Sequence, residues 1–176
     1  MITSGDINKI LRRVGVPTLR EIGFTKFQGR TAWRYLDDSV WVFHTRAVGN
    51  YFSQTTGFPP ASLTAWLGIF YLDFPKTPTV ETDDDGLLIP KESLCHVRYA
   101  LDNIADQIAI RSQSMSPIER RRTDIWWVEP DGSNAEAVVE DIRRSILDYG
   151  VHLLHKPYNV RSVQLERRGF AHTHDA

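Results

Sequence analysis

Two short strings of the sequence each place a histidine and an arginine two positions apart, namely His44 with Arg46 and His96 with Arg98. In an extended strand, side chains two positions apart point to the same face, so each string presents an imidazole and a guanidinium together. Arginine offers planar donors to phosphate or carboxylate, and a histidine near two arginines is expected to stay neutral and able to act as a base. If the two strands pair or nearly pair, the four side chains converge on one anion-binding pocket.

The same four residues have a simpler interpretation, because the solvated face of an antiparallel sheet commonly carries polar side chains. Catalysis is therefore only an alternative, with His44 or His96 as the general base. A zinc site built from these histidines lacks the third protein ligand that hydrolytic zinc usually has, and the neighbouring arginines would repel the cation. The sequence predicts no metal site and no cofactor.

Other motifs add little chemistry. A glycine-rich phosphate loop, a nucleophile elbow and a dinucleotide-binding fingerprint are all missing from the sequence. Residues 83–86, Asp-Asp-Asp-Gly, lack the alternating acids and the distant glutamate of a calcium loop, so we interpret them as a solvated charge run. The single cysteine, Cys95, excludes an intrachain disulfide and indicates a reducing compartment. We expect Cys95 to be buried on the strand face that carries Val97 and Tyr99.

Composition limits the class of protein. The chain has 176 residues, 41% of them hydrophobic, and a formal net charge of −1. Such a chain is too hydrophobic and too weakly charged to stay disordered, so residues 1–176 are predicted to form a single domain. Near-neutral charge argues against a surface wholly committed to nucleic acid. The N-terminus does not resemble a leader peptide and no apolar run reaches ~18 residues, which predicts a cytoplasmic protein without a membrane partner.

Hydrophobic periodicity predicts the elements that would position these residues. Apolar residues at helical spacing indicate an N-terminal helix that starts at Thr3 or Ser4 and ends at Gly23. Gly15 and Pro17 predict a kink or a break midway, so that one kinked helix or two short helices fit the pattern. The period then changes to two. Strands are predicted over residues 24–27, 31–36, 40–48, 63–72 and 93–101, with a short strand at 125–129 and a loop at 49–62.

The C-terminal part of the chain is predicted to hold a second helix. Ser133 and Glu136 have the spacing of a capping box, which indicates a helix over about 134–149 that Gly150 ends. Residues 73–92 carry six acids and two lysines and form a predicted acidic loop. Residues 102–123 are an ambiguous insertion, and residues 171–176 are a predicted frayed tail. Helix, successive strands and helix together predict an α+β domain: an antiparallel β-sheet of about five to six strands with an N-terminal helix and a C-terminal helix packed on one face.

Three strings carry a resemblance to a known family: Leu19–Phe24, Cys95–Leu101, and Trp126-Trp127 followed by a helix that ends in Tyr149-Gly150. Together they resemble the bacterial domain-of-unknown-function 4304 family over about residues 5–155. The resemblance implies an α+β domain of bacterial or phage origin without an established reaction, and it supplies no catalytic residue. The chain departs from the family pattern at residues 102–123 and after residue 156.

Three functions follow as hypotheses. The first is a small non-catalytic binding module that docks on a protein partner, for example as an immunity, antitoxin-like or counter-defence factor. Aromatic residues dominate interface hot spots when they are exposed, although they can equally form the core. This chain is rich in them: Trp33, Trp41, Trp66, Trp126, Trp127, Tyr51, Phe52, Phe58 and Tyr71. The alternative is an enzyme or sensor for a phosphate-bearing small molecule or nucleotide that uses His44, Arg46, His96 and Arg98.

The third hypothesis is RNA or DNA binding. Residues 6–34 hold seven lysines and arginines against two acids, and aromatic residues on strands can stack on bases. The acidic residues of 73–92 would repel a phosphate backbone. We therefore rank this hypothesis below the other two, and the sequence predicts no oligomeric state.

Overall fold

The computed structural model describes residues 1–74, 78–101 and 124–155, so the predicted insertion at 102–123 and the predicted tail at 171–176 lie outside these ranges. A five-stranded antiparallel sheet forms the centre, and its strand order follows the chain order. The strands are β1 (Lys26–Gln28), β2 (Thr31–Tyr35), β3 (Ser39–Ala47), β4 (Leu63–Tyr71) and β5 (Val97–Ala100). The predicted α+β class is confirmed, with the N-terminal and C-terminal helices packed on one face of the sheet.

The N-terminal helix runs without a break from α1 (Ser4–Ile10) through a π-helical turn (Leu11–Gly15) into α2 (Val16–Glu21). Thr3 and Asp6 form a capping box, because each side chain accepts a hydrogen bond from the other residue's backbone N–H. The kink or break predicted at Gly15 does not occur, and a π-helical turn lies at this position instead. Pro17 lies at the start of α2, and Gly23, with a φ of 92°, follows the helix as predicted.

The C-terminal helix differs from its prediction at both ends. It comprises α4 (Ala135–Ser145), a π-helical turn (Ile146–Gly150) and α5 (Val151–Leu154). The predicted capping box is wrong, since Asn134 is the N-cap and the Ser133 N–H donates to Asp131 Oδ1 at 2.9 Å. Gly150 does not end the helix. A Cβ at Gly150 would lie 2.7 Å from Leu67 Cδ1, so the glycine allows the helix to pack close to the sheet.

A third helix, α3 (Gly49–Thr56), occupies the predicted loop at 49–62. Its last turn is stabilised by the hydroxyl of Thr56, which donates to the carbonyl of Phe52 at 2.8 Å, and it ends at Gly57, with a φ of 80°. None of its residues is buried, so no apolar periodicity reveals it in the sequence. The predicted strand at 125–129 is reduced to a single bridge between Leu63 and Trp126.

The main core lies between the helices and one face of the sheet. The indole N–H of Trp126 donates to Asp141 Oδ2 at 2.8 Å, and both residues are buried. This bond links the segment after residue 124 to α4. The largest side chains of this core include Ile7, Phe24, Leu63, Leu67, Ile69, Trp126, Ile142 and Ile146.

The opposite face of the sheet is only partly covered. Residues 78–95 cross it and bury a smaller apolar cluster, which comprises Trp33, Val40, Val42, Phe70 and Cys95. The indole N–H of Trp33 donates to the carbonyl of Pro90 at 2.9 Å, which fixes this segment to the sheet. The acidic residues 83–85 are held near the sheet as well, because Asp83 forms a salt bridge with Lys26. The predicted acidic loop therefore has a packed part as well as a solvated one.

Candidate functional site

His44, Arg46 and Arg98 all lie on the partly covered face. In the sheet register, His44 is opposite Trp66 and Arg46 is opposite Thr64, whereas Arg98 is opposite Gly68. β4 separates β3 from β5, so the two strings do not pair directly and their strands lie roughly 10 Å apart. The strands that carry the two strings, β3 and β5, are both neighbours of β4 but not of each other.

These three side chains line one cavity of about 890 Å³, which we call the sheet recess. It is bordered by β2, β3, α3, β4, β5 and the 3₁₀ turn Glu92–Leu94. Its side chains combine cations with aromatic rings, and its lining includes Thr31, His44, Arg46, Tyr51, Phe52, Trp66, Lys91, Glu92, Arg98 and Asp124. A recess of this size and composition is suited to a small polar ligand.

His96 is not among the lining residues of the sheet recess. Its Nδ1 accepts a hydrogen bond from the Tyr71 N–H at 3.0 Å, and its ring centroid lies 4.9 Å from that of Phe70 and 4.3 Å from that of Phe74. The four predicted residues therefore do not all converge. β5 begins at Val97, so His96 lies before the strand, next to the end of β4, where it contacts Tyr71.

His44 is half-buried and its Nδ1 lies 2.9 Å from the hydroxyl oxygen of Thr31. Burial is the main reason that the pKa of His44 is lowered, and the charges of Arg46 and Arg30 lower it further, while Glu92 acts in the opposite direction. The imidazole is therefore neutral near pH 7. This agrees with the expectation from the sequence, although burial contributes more than the arginines do.

Arg98 is held by two neighbours. Its Nε donates to Glu92 Oε1 at 2.5 Å, and its guanidinium carbon lies 5.1 Å from the ring centroid of Trp66. The Glu92 side chain is 10% exposed and that of Arg98 is 43% exposed, so solvent screens this pair only in part. An anion that binds Arg98 must therefore compete with Glu92 or use the remaining guanidinium N–H groups.

Arg46 differs from Arg98, because it is exposed and forms no salt bridge with any residue in the described ranges. Lys91, the third cation of the recess, lies 3.4 Å from Glu81, and both side chains are largely exposed. The charge most readily available to an incoming anion is that of Arg46.

Sequence reasoning missed three contributors to the recess. Glu92 was part of the predicted acidic loop, and only the 3₁₀ turn brings its carboxylate to Arg98. Tyr51 and Phe52 belong to α3, which was predicted as a loop. The signal available in advance was Gly57 followed by Pro59 and Pro60, a composition that is typical of the end of a helix.

The structure also places the potential metal ligands and the thiol of Cys95. Within residues 1–74, 78–101 and 124–155, no group of three or more potential metal-ligating side chains of His, Cys, Asp and Glu lies together. Cys95 is buried as predicted, but in the cluster with Trp33 and Val42 rather than beside Val97. Burial raises the pKa of Cys95 to about 12, which keeps the thiol protonated. The strand starts after Cys95, so the predicted alternation does not extend back to it.

Comparison with known proteins gives no relative. The chain matches no protein-family model, and no curated protein and no solved structure is significantly similar to it. The resemblance to the domain-of-unknown-function 4304 family stays a prediction. None of the helices in the described part of the chain has the length and apolar character needed to span a membrane.

Proposed function

We propose that this protein binds a small phosphate-bearing molecule with a planar ring, such as a nucleotide, in the sheet recess. The observation that carries the proposal is that His44, Arg46 and Arg98 line one cavity of about 890 Å³. Specific ligand sites typically occupy ~300–1,000 Å³, and guanidinium groups bind phosphate through paired hydrogen bonds. Arg46 supplies the first contact, because it forms no salt bridge with another described residue.

Aromatic side chains in the recess support a ring-bearing ligand. Trp66, Tyr51 and Phe52 all line it, and bases stack on such side chains with little dependence on base identity. His44 is neutral and half-buried, which suits a hydrogen bond to a ligand oxygen or ring nitrogen. We assign these groups to binding, and the proposed role is that of a ligand-binding or sensing domain.

The proposal is tested by thermal denaturation and calorimetry with AMP, GMP, CMP and UMP, each compared with its nucleoside. A nucleotide at ~100 times its dissociation constant adds about 2.7 kcal/mol of stability, whereas the nucleoside is expected to have a much smaller effect. Arg46→Ala should weaken binding of the nucleotide. The matched control is Arg144→Ala, which removes an exposed arginine on α4, away from the recess.

Two results would contradict the proposal. One is the absence of a stability increase with every nucleotide. The other is an Arg46→Ala variant that binds a nucleotide as tightly as the unmodified chain. Retardation of a single-stranded RNA that depends on Arg46, without binding of mononucleotides, would instead support the nucleic-acid alternative.

Docking on a protein partner is a second candidate, supported by Tyr51, whose surface is 85% exposed on α3. Half of the other aromatic residues behind this hypothesis serve a different role, since Trp33, Trp41, Phe58 and Trp126 are buried. An immunity, antitoxin-like or counter-defence role would belong to this candidate. A Tyr51→Ala variant that loses a partner captured by the unmodified chain would support it, and equal capture by both would contradict it.

We also propose a cytoplasmic location and membership of the domain-of-unknown-function 4304 family. The location is supported by the single buried cysteine, which suits a reducing compartment. The family is supported by the three sequence strings that resemble it.

A further inference from the structure

A second cavity lies on the other side of the sheet, under the helices. It has a volume of about 410 Å³ and opens between the N-terminal helix, the turn between β1 and β2, and α4; we call it the helix-side cavity. Its walls are largely apolar and include Leu11, Leu19, Phe27, Phe43, Ile142 and Ile146. The volume falls within the range of ~300–1,000 Å³ that is typical of small-molecule sites.

The charged residues that line this cavity are all arginines: Arg12, Arg20, Arg30 and Arg143. Arg143 is balanced by Glu140, which accepts hydrogen bonds from it at 2.7 and 2.9 Å. Arg12 and Arg20 are exposed and form no salt bridge with any residue the structure describes. An apolar cavity with such a surplus of positive charge complements a ligand that is apolar and anionic at once.

Arg30 is the most informative of the four. It is half-buried, and its partners are neutral: Nε donates to Asn8 Oδ1 at 2.6 Å and Nη2 donates to Ser4 Oγ at 2.7 Å. Its Nη1 forms no hydrogen bond with the described part of the chain. Burial accordingly lowers the pKa of Arg30. A partly desolvated guanidinium without a carboxylate partner is a group that an anion would stabilise.

The helices that form the walls each contain a π-helical turn at the cavity. Leu11, Arg12 and Gly15 come from the first turn and Ile146 from the second. Such turns are rare and occur frequently at functional sites. A Cβ built at Gly15 would meet no atom within 4 Å, so the glycine leaves open space beside the cavity.

We propose that the helix-side cavity binds a medium-chain fatty acid. The hydrocarbon chain lies among the apolar walls, and the carboxylate binds Arg30 and Arg12 at the rim. A carboxylate suits this rim because its two oxygens match the paired donors of a guanidinium. The site lies on the other side of the sheet from the sheet recess, although Thr31 lines both, and it does not depend on the nucleotide-binding proposal.

Isothermal titration with sodium dodecanoate, below its micelle concentration, tests the proposal on the full chain. Dodecan-1-ol has the same hydrocarbon chain without the charge, and it should bind at least roughly tenfold more weakly. Arg30→Met should weaken dodecanoate binding the most. Because Arg30 also bonds Asn8 and Ser4, Arg12→Gln provides a second variant that leaves those contacts intact.

Two further variants separate the cavity from general surface charge. Gly15→Leu places a side chain in the open space and should abolish binding while the protein stays folded, as judged by circular dichroism. Arg13→Gln is the matched control for Arg12→Gln, since Arg13 pairs with Glu136 at 2.9 Å and does not line the cavity. It should bind dodecanoate with unchanged affinity.

The proposal is overturned by any of three results. These are the absence of dodecanoate binding, equal affinity for dodecanoate and dodecan-1-ol, and a folded Gly15→Leu variant that keeps its affinity. Loss of nucleotide binding alone does not affect it, because the sheet recess lies on the opposite face.

Discussion

The guanidinium carbon of Arg98 lies 5.1 Å from the ring centroid of Trp66, within the range of a cation–π interaction. Trp66 lies on β4, which is flanked by β3 with His44 and by β5 with Arg98. The indole therefore joins the two halves of the sheet recess. It also fixes Arg98 beside Glu92, which makes Glu92 the group that an anionic ligand has to compete with.

Removing the negative charge of Glu92 is expected to strengthen the binding of an anionic ligand in the sheet recess. Glu92→Gln keeps the shape of the side chain and a hydrogen-bond acceptor for Arg98 but removes the negative charge. We expect the affinity for a nucleoside monophosphate to rise by up to about tenfold, which corresponds to ~1.4 kcal/mol. Calorimetric titration measures this change. The control is Glu136→Gln, which removes a negative charge from α4 and should leave the affinity for the nucleotide unchanged. A lower affinity of the Glu92→Gln variant would contradict the expectation.

The lowered pKa of His44 makes stability depend on pH. The folded chain binds a proton at His44 less readily than the unfolded chain does, so the unfolded state takes up more protons as the pH falls below ~6.5. The contribution of neutral His44 is fully present above that pH and is lost progressively down to the lowered pKa.

We expect the His44→Gln variant to lose less stability than the unmodified chain between pH 7.5 and pH 5.5. Urea denaturation at both pH values measures the difference. His152 is exposed on α5, so His152→Gln should keep the pH dependence of the unmodified chain. Identical pH dependence in the His44→Gln variant and the unmodified chain would show that His44 does not act in this way.

We expect the buried hydrogen bond between Trp126 and Asp141 to stabilise the folded protein. Asp141→Leu leaves the indole N–H without its acceptor, and a buried unsatisfied donor costs about 1–3 kcal/mol. Asp141→Asn retains an acceptor oxygen and should cost less. Glu140→Ala changes an adjacent helix position that is far more exposed and should alter the free energy of unfolding by ~0.5 kcal/mol or less. Equal losses for the leucine and asparagine variants would exclude the hydrogen bond as the cause.

Two helical glycines are expected to respond oppositely to alanine. Gly15→Ala adds a methyl group to open space and should stabilise the protein by about 0.5–1 kcal/mol through helix propensity. Gly150→Ala places a Cβ 2.7 Å from Leu67 Cδ1, and Leu67 is fully buried. Overpacking is expected to cost about 1–3 kcal/mol, which outweighs the gain in helix propensity. Thermal denaturation of both variants measures the effects. A stabilised Gly150→Ala variant would mean that the helix can move away from the sheet.

The sequence predicts those elements whose side chains follow a regular alternation or helical spacing along the chain. β3 alternates between two faces, and its observed bounds, Ser39–Ala47, differ from the predicted 40–48 by one residue at each end. The cap at Thr3 is likewise a local signal. α3 has no buried residue and therefore no periodic pattern, which is why it was predicted as a loop.

The candidate site depends more on contacts between distant segments. His44, Arg46 and Arg98 were found because strand alternation places them on one face. His96 was included because the fifth strand was predicted to begin at residue 93, whereas pairing with β4 starts it at Val97. Glu92 reaches Arg98 only through a turn that no periodicity indicates. The faces of single strands can thus be predicted, but the point at which a strand begins depends on its partner.

The π-helical turn at Leu11–Gly15 gives the N-terminal helix one residue more than a regular α-helix would have over the same length. Such a turn holds more residues than a regular α-helical turn, and each residue of an α-helix advances the side-chain direction by roughly 100°. Deleting one residue within the turn would convert it into a regular α-helical turn and leave α2 nearly in phase with α1, so that Leu19 stays in the core. A one-residue deletion is therefore expected to be tolerated better at this turn than within α1 or α2, where it would change the phase of the helix by roughly 100°.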